Sequence, residues 1–153
     1  MTEDPKLFDS LTGKCWMAMK LLQNNLQNEL QAHYPFLNTE QLQLMIELNY
    51  DDGVRPSVLA YRMQRTKSTI SSLLKHAEKN ELIALASDPK NKNAKKVHLT
   101  LKGKTILDDI SPVVDALLIS VTRNISEKDQ KVVKQAMDSM LEELNPDWLH
   151  DSW

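Results

Sequence analysis

Residues 55–89 read RPSVLAYRMQRTKSTISSLLKHAEKNELIALASDP, and residues 95–107 read KKVHLTLKGKTIL. Projected at about 100° per residue, Ile70, Leu73, Leu74 and Ala77 fall on one narrow stripe, which a helix must turn toward a core. Ser68, Ser72, Lys75 and Lys79 fall nearly opposite, with Lys67 and Ser71 on one flank and Thr69 and His76 on the other. Thr66 is placed to cap this helix, which should run to about Lys79. A shorter helix precedes it, with Pro56 in its first turn and Val58, Leu59 and Met63 apolar. After Lys79 the apolar period changes. Leu82 to Ser87 and Lys95 to Thr100 read as short strands, joined by a polar loop over residues 88–94. Helix, turn, helix and basic hairpin, in that order, predict a winged helix-turn-helix within a mainly α chain.

The same stretch is the basic part of an acidic molecule. Residues 55–104 hold twelve Lys+Arg against three Asp+Glu, a net +9, in a chain whose formal charge is −2. One contiguous third is built to meet a polyanion and the remainder repels it. The solvent face of the capped helix offers short hydroxyls and lysines, with no acid before Glu78. A helix entering a major groove needs this: short side chains let the backbone approach base edges, and cations hold phosphates. A merely solvated face is the competing reading for such a helix taken alone, and the neighbouring turn and hairpin favour the groove.

Working outward, Leu7 to His33 predicts a long helix, interrupted at most near Gly13. Trp16, Met19, Leu22, Leu26 and Leu30 recur along it, and only Lys20 and Glu29 are charged between Cys15 and Leu37, so burial on more than one side is expected. Tyr34-Pro35 ends it. Asn38, with Gln41 three residues on, predicts a capping box for a second helix whose inner face is Leu42, Met45, Ile46 and Asn49. Asp51-Asp52-Gly53 reads as a turn. Thr100 opens a fifth helix carrying Ile106, Leu107, Ile110, Val114, Leu117 and Val121, with a bend expected at Pro112. Ser126 and Asp129 cap a sixth, with Val132, Val133, Ala136, Met137, Met140, Leu141 and Leu144 apolar and Asn145-Pro146 as its stop. The expected division is an N-terminal helix over 1–37, a winged domain suited to DNA over 38–104, and C-terminal helices and tail over 105–153.

Residues Asn38 to about Lys104 resemble the core of the MarR family of bacterial transcription regulators. The resemblance lies in Leu59-Ala60, the hydroxyl-rich helix start Lys67 to Ser72, Glu81-Leu82-Ile83 at the first strand, the wing, and Leu99-Thr-Leu-Lys-Gly103. It extends more loosely to residues 10–144. It implies a homodimer in which the first, fifth and sixth helices interlock as dimerisation helices and two winged domains bind a pseudo-palindromic duplex; the chain is then expected to regulate transcription as a repressor or an activator, with a repressor the first expectation. On that basis the recognition helix contacts DNA through Thr66, Lys67, Ser68, Thr69, Ser71, Ser72, Lys75, His76 and Lys79. The wing and its support contribute Arg55, Arg62, Arg65, Lys90, Lys92, Asn93, Lys95 and Lys96. The chain departs from the family where Leu85 replaces a basic residue and where Asn91 and Asn93 replace the wing's Asp and Arg. Phosphate affinity should survive this change, while selectivity from the wing should fall. The family's glycine at the strand start is Glu81 here, and Asn80 is the expected left-handed residue.

Effector sensing has two candidate forms. Trp16, Met19, His33 and Met45 could line a pocket for a small aromatic anion, though residues of these types at helical spacing also serve as plain core. Cys15 lies near the reactive cysteine of a peroxide-sensing branch of the family, but Leu42 and Glu29 stand where that branch keeps tyrosines, and a buried small hydrophobe is the alternative. A winged module that has lost sequence reading and serves protein interaction or architecture competes with the regulator reading. No nucleophilic triad or carboxylate pair is legible, so an enzyme is not expected. His33, His76, His98 and His150 have no metal-ligand spacing, and neither metal nor cofactor is expected. With only 3 Gly, phosphate-cradling loops are few, and with one cysteine no intrachain disulfide can form, which points to the cytoplasm. Residues 1–10 are acidic and polar and do not read as a signal peptide, and no apolar run is long enough to span a membrane.

Overall fold

A computed structural model describes residues 7–150, the side chain of Leu7 excepted. A short 3-10 helix, Leu7–Asp9, leads into α1 (Leu11–His33), followed by α2 (Thr39–Tyr50), α3 (Pro56–Arg62), α4 (Lys67–Lys79), β1 (Ile83–Asp88), β2 (Asn91–Leu99), α5 (Leu101–Thr122), α6 (Glu127–Leu144) and α7 (Pro146–His150). The strands pair antiparallel as a two-stranded hairpin. This is the mainly helical, winged arrangement that the sequence predicts. No helix of the described residues is long and apolar enough to cross a membrane. The described residues pack as two units that divide between Val114 and Asp115.

In the first unit a single apolar cluster joins Leu42, Leu44, Met45 and Leu48 of α2 to Leu59 of α3, to Ile70, Leu73, Leu74 and Ala77 of α4, to Leu82, Ile83 and Val97 of the hairpin, and to Ile106, Leu107 and Ile110 of α5. Each such side chain contributes about 1.5–3 kcal/mol by leaving water. Leu30 of α1 is fully buried in the same cluster and Leu26 packs on it, so the C-terminal part of α1 belongs to this unit by packing. The Gln27 amide fastens it further. Its Nε2 donates to the Leu37 carbonyl at 3.2 Å, and its Oε1 accepts from the Thr39 N–H at 3.0 Å. The Tyr34 hydroxyl donates to Asp109 Oδ2 at 2.7 Å. That hydrogen bond, then burial and the carboxylate's charge, hold the phenol above its ordinary pKa.

Several local expectations are corrected. The N-terminal helix breaks at Ser10 rather than Gly13, because the Ser10 hydroxyl caps α1 by accepting from the Gly13 N–H at 3.0 Å. Within the first unit only Gly13 and Leu30 of α1 are buried, not two faces, because the winged core packs against the C-terminal part of α1 alone. In α2 the inward stripe is Gln41, Leu44, Met45 and Leu48 with Leu42, which turns Ile46 and Asn49 outward. Asn38 does cap α2, accepting from the Gln41 N–H at 2.8 Å, but Gln41 does not close the box, and its buried Oε1 has no partner among the described residues. Val58 is exposed while Ala60 takes a core position in α3. The loop over 88–94 shrinks to Pro89-Lys90, because Asp88 pairs with Asn91 and Ser87 with Lys95, leaving residues 92–94 as a bulge. The left-handed residue is Glu81 at φ 60°, whereas Asn80 has φ −84°. A side chain in that region costs about 1–2 kcal/mol. Here the Glu81 carbonyl accepts from the Thr100 hydroxyl at 2.6 Å, and its carboxylate meets Lys102 at 3.1 Å.

The second unit holds the end of α5, α6 and α7. Ser126 caps α6 as expected, accepting from the Asp129 N–H at 3.1 Å. No residue of α6 is buried: Ala136, Met137, Met140 and Leu141 are half-covered, while Val132, Val133 and Leu144 are exposed. Asn145-Pro146 stops α6 as expected, and the chain then starts the short helix α7, capped where Asn145 Oδ1 accepts from the Trp148 N–H at 3.1 Å. Trp153, the second tryptophan of the tail, lies outside the described residues, as do residues 1–6 of the N-terminal segment.

Candidate nucleic-acid interface

The turn between α3 and α4 is built by backbone geometry. Gln64 adopts φ 51°, and its Nε2 donates to the Tyr61 carbonyl at 2.7 Å, holding the reversal that a glycine often makes. Thr66 then caps α4, its hydroxyl accepting from the Thr69 N–H at 3.2 Å. The four apolar residues of α4 are buried, which forces Lys67, Ser68, Ser71, Ser72, Lys75, His76 and Lys79 outward and leaves Thr69 half-covered. The exposed face is the one projected from the sequence.

The wing rises from a bridge to the chain ahead of α3. Val54 and Val97 exchange backbone hydrogen bonds at 3.2 and 2.8 Å, so β2 is held on both edges at its root. Gly53, at φ +76°, makes the preceding turn; a Cβ there would lie 2.9 Å from His98 Cε1. Asp52 completes the turn, accepting from the Leu99 N–H at 3.1 Å and meeting His98 Nδ1 at 3.3 Å. Lys90, Lys92, Asn93 and Lys95 are exposed along the outer hairpin, and Lys96 is half-buried.

The cations of this region fall into two groups. Each of the three arginines is engaged by a carboxylate: Arg55 by Asp88, Arg62 by Asp51 and Arg65 by Glu40. Lys67, Lys75, Lys79, Lys90, Lys92 and Lys95 have no ion pair among the described residues. The uncompensated charge therefore lies in the lysines of α4 and the wing, while the arginines lash α3 to α2 and to the hairpin. The sequence reads Asp88 as part of a loop and Asp51 as part of a turn, and marks neither of them, nor Glu40, as the partner of an arginine. Their partners lie 33, 11 and 25 positions away, and no local spacing reports such a pair.

The candidate effector residues are not gathered. Met45 is fully buried in the winged core, while Trp16, Met19 and His33 are exposed on α1. Trp16 instead packs edge-on against Phe8, with ring centroids 6.2 Å apart. Cys15 is half-buried, and of the two positions compared with sensing tyrosines, Leu42 is core and Glu29 is exposed. A groove of about 490 Å³ runs between the start of α2 and α4, lined among others by Phe36, Gln41, Thr69, Ser72, His76 and Lys79. Another of about 410 Å³ lies between the end of α2 and the start of α5. None of the four candidate effector residues lines either groove.

No family model matches the sequence, and no curated protein does. Solved structures do match. The MepR–DNA complex of S. aureus superposes with a TM-score of 0.80 at 22% identity, over 89% of this chain and 97% of that one. The chain has the MarR-type winged-helix fold. The transcriptional regulator SlyA gives a TM-score of 0.81 at 18% identity, covering 91% of this chain and 96% of that one. CouR from Rhodococcus jostii RHA1, solved bound to p-coumaroyl-CoA, gives 0.78 at 21% identity, covering 94% and 97%. The likeness spans nearly the whole of each MarR-type neighbour, so the flanking helices share in it along with the winged core.

Proposed function

We propose that this chain is a homodimeric, duplex-DNA-binding regulator of transcription, acting as a repressor in the cytoplasm, and not an enzyme. The observation that carries the reading is the α4 face: hydroxyls and lysines with no acid among them before Glu78, followed by a hairpin with Lys90, Lys92 and Lys95 exposed, none of these lysines in an ion pair among the described residues. In the proposed complex α4 lies in the major groove, with Ser68, Ser72 and Lys75 toward base edges, and Lys90, Lys92 and Lys95 hold the flanking backbone. Asn93 at the wing can bond minor-groove acceptors but brings no charge there. Among the MarR-type neighbours, MepR is solved with DNA.

The second copy answers the uncovered apolar surface. Leu11, Trp16, Met19 and Leu21 of α1 are exposed, as are Ile119 and Val121 of α5 and Val132 and Val133 of α6. A soluble monomer rarely leaves this much apolar area in water. Pairing these helices with their symmetry mates covers it and sets two α4 helices against one duplex. A small aromatic effector loosening the complex is the regulatory mode proposed, in keeping with a CoA thioester bound to CouR.

A salt titration tests the reading. A dimer that neutralises about ten phosphates gives a log–log slope of affinity against salt near −9. A flat response would rule out duplex binding of this kind, and a protein that stays monomeric at binding concentrations would remove the symmetric arrangement.

A further inference from the structure

The outer end of the hairpin is tied back to the start of α3. Asp88, the last residue of β1, is 2% exposed, an unusual place for a carboxylate in a small basic wing. Both its oxygens are used. Oδ1 accepts from the Lys90 N–H at 2.9 Å, which shapes the Pro89-Lys90 turn, while Oδ2 accepts from Arg55 Nη2 at 2.9 Å and from Nε at 3.3 Å. The Lys90 N–H first and the guanidinium second hold this carboxyl below its usual range. Arg55 is the residue just before Pro56 at the head of α3, and it has no side-chain capping role there. It follows directly on Val54, which bridges Val97 at the hairpin's root. The hairpin is therefore held at both ends by two consecutive residues, through backbone at the root and through the ion pair near the tip.

We propose that Asp88 and Arg55 are positioning residues that fix the wing, so that its lysines meet the duplex backbone in a set register with α4, and that Arg55 is not itself a phosphate ligand. This rests on the DNA-binding reading above. The physical logic is entropic. Lys90 sits on the turn and Lys92 on the bulge, where the ladder is interrupted, Lys95 pairs with Ser87 at the edge of that bulge, and a free hairpin tip would have to be ordered on binding. With the clamp in place the tip is ordered before DNA arrives. A guanidinium already committed to a buried carboxylate also gives up little by leaving phosphates to the unpaired lysines.

The two roles for Arg55 predict opposite results for the acid. Asp88→Asn keeps the side chain's shape and can still accept from the Lys90 N–H, but it loses the charge that holds Arg55. If the pair is a clamp, Asp88→Asn and Arg55→Gln each lower the magnitude of the salt slope on a mixed-sequence duplex by about 3 units, as wing contacts become fractional, and the double variant is no worse than either single one. If Arg55 is a phosphate ligand, Arg55→Gln alone loses slope, and Asp88→Asn binds as well as or better than the wild type because an acid has been removed; that pattern overturns the proposal. Amide hydrogen exchange without DNA keeps the two readings apart. The clamp predicts at least about tenfold faster exchange over residues 90–96 in Asp88→Asn, with α2 and α4 unchanged. Unchanged exchange there overturns the clamp even if DNA binding holds. Faster exchange in a protein that binds no duplex sustains the clamp and overturns its role in DNA binding.

Discussion

Gly103→Ala lowers the stability of the winged unit by about 3 kcal/mol or more, a large share of the roughly 5–15 kcal/mol that holds a domain of this kind. The reason lies in how the first turn of α5 meets the hairpin. Thr100 binds back to the strand start, its N–H donating to the Leu82 carbonyl at 3.1 Å and its hydroxyl to the Glu81 carbonyl, and the same hydroxyl accepts from the Gly103 N–H at 3.0 Å. These bonds draw the helix onto the backbone of residue 82. A Cβ on residue 103 would lie 2.2 Å from the Leu82 oxygen and 3.1 Å from its carbonyl carbon. Those are main-chain atoms of a strand start whose side chain is fully buried, so they cannot swing aside. Thermal unfolding followed by circular dichroism would show a fall in midpoint of about 10 °C. A shift of only a degree or two would mean that α5 does not approach the strand start this closely.

With α4 in the major groove as proposed, Ser72→Glu sharply weakens duplex binding without unfolding the protein. Ser72 is exposed at the centre of the α4 face, flanked by Ser68 and Lys75 and away from the buried stripe. A carboxylate there meets the groove and its phosphates in both copies of a dimer, and opposed like charges cost several kcal/mol. Affinity should fall at least about 100-fold, which corresponds to about 2.7 kcal/mol. Stability should move by no more than about 0.5 kcal/mol, as for other surface changes. Retained affinity in this variant would remove α4 from the groove and favour the protein-interaction reading of the module.

The parts of this account that came from sequence are those with strong local period. Ile70, Leu73, Leu74 and Ala77 could be placed inside because the face opposite them is wholly polar. The caps Asn38, Thr66 and Ser126 could be named because capping is a matter of one residue and its three followers. Ile46 was misplaced because α2 is apolar on more than one side, and a buried glutamine, Gln41, completes the inward stripe. The second strand starts earlier than side-chain pattern suggests, because Asn91 to Ala94 show no alternation: Asn91 pairs with Asp88 and residues 92–94 bulge out of the ladder. The charge of the arginines can be counted along the chain, whereas the carboxylates that engage them are brought close only by the fold. The same limit hid the Asp88 clamp, whose two halves lie on opposite sides of α4 in the sequence.

In the proposed complex two copies of α4 read one duplex, and selection of bound sequences from a random duplex pool is the direct test. Two inverted half-sites with centres about one helical turn, or roughly 10 base pairs, apart should be enriched. A pool that stays unenriched in the presence of folded protein, or that converges on a single site without two-fold symmetry, would contradict it.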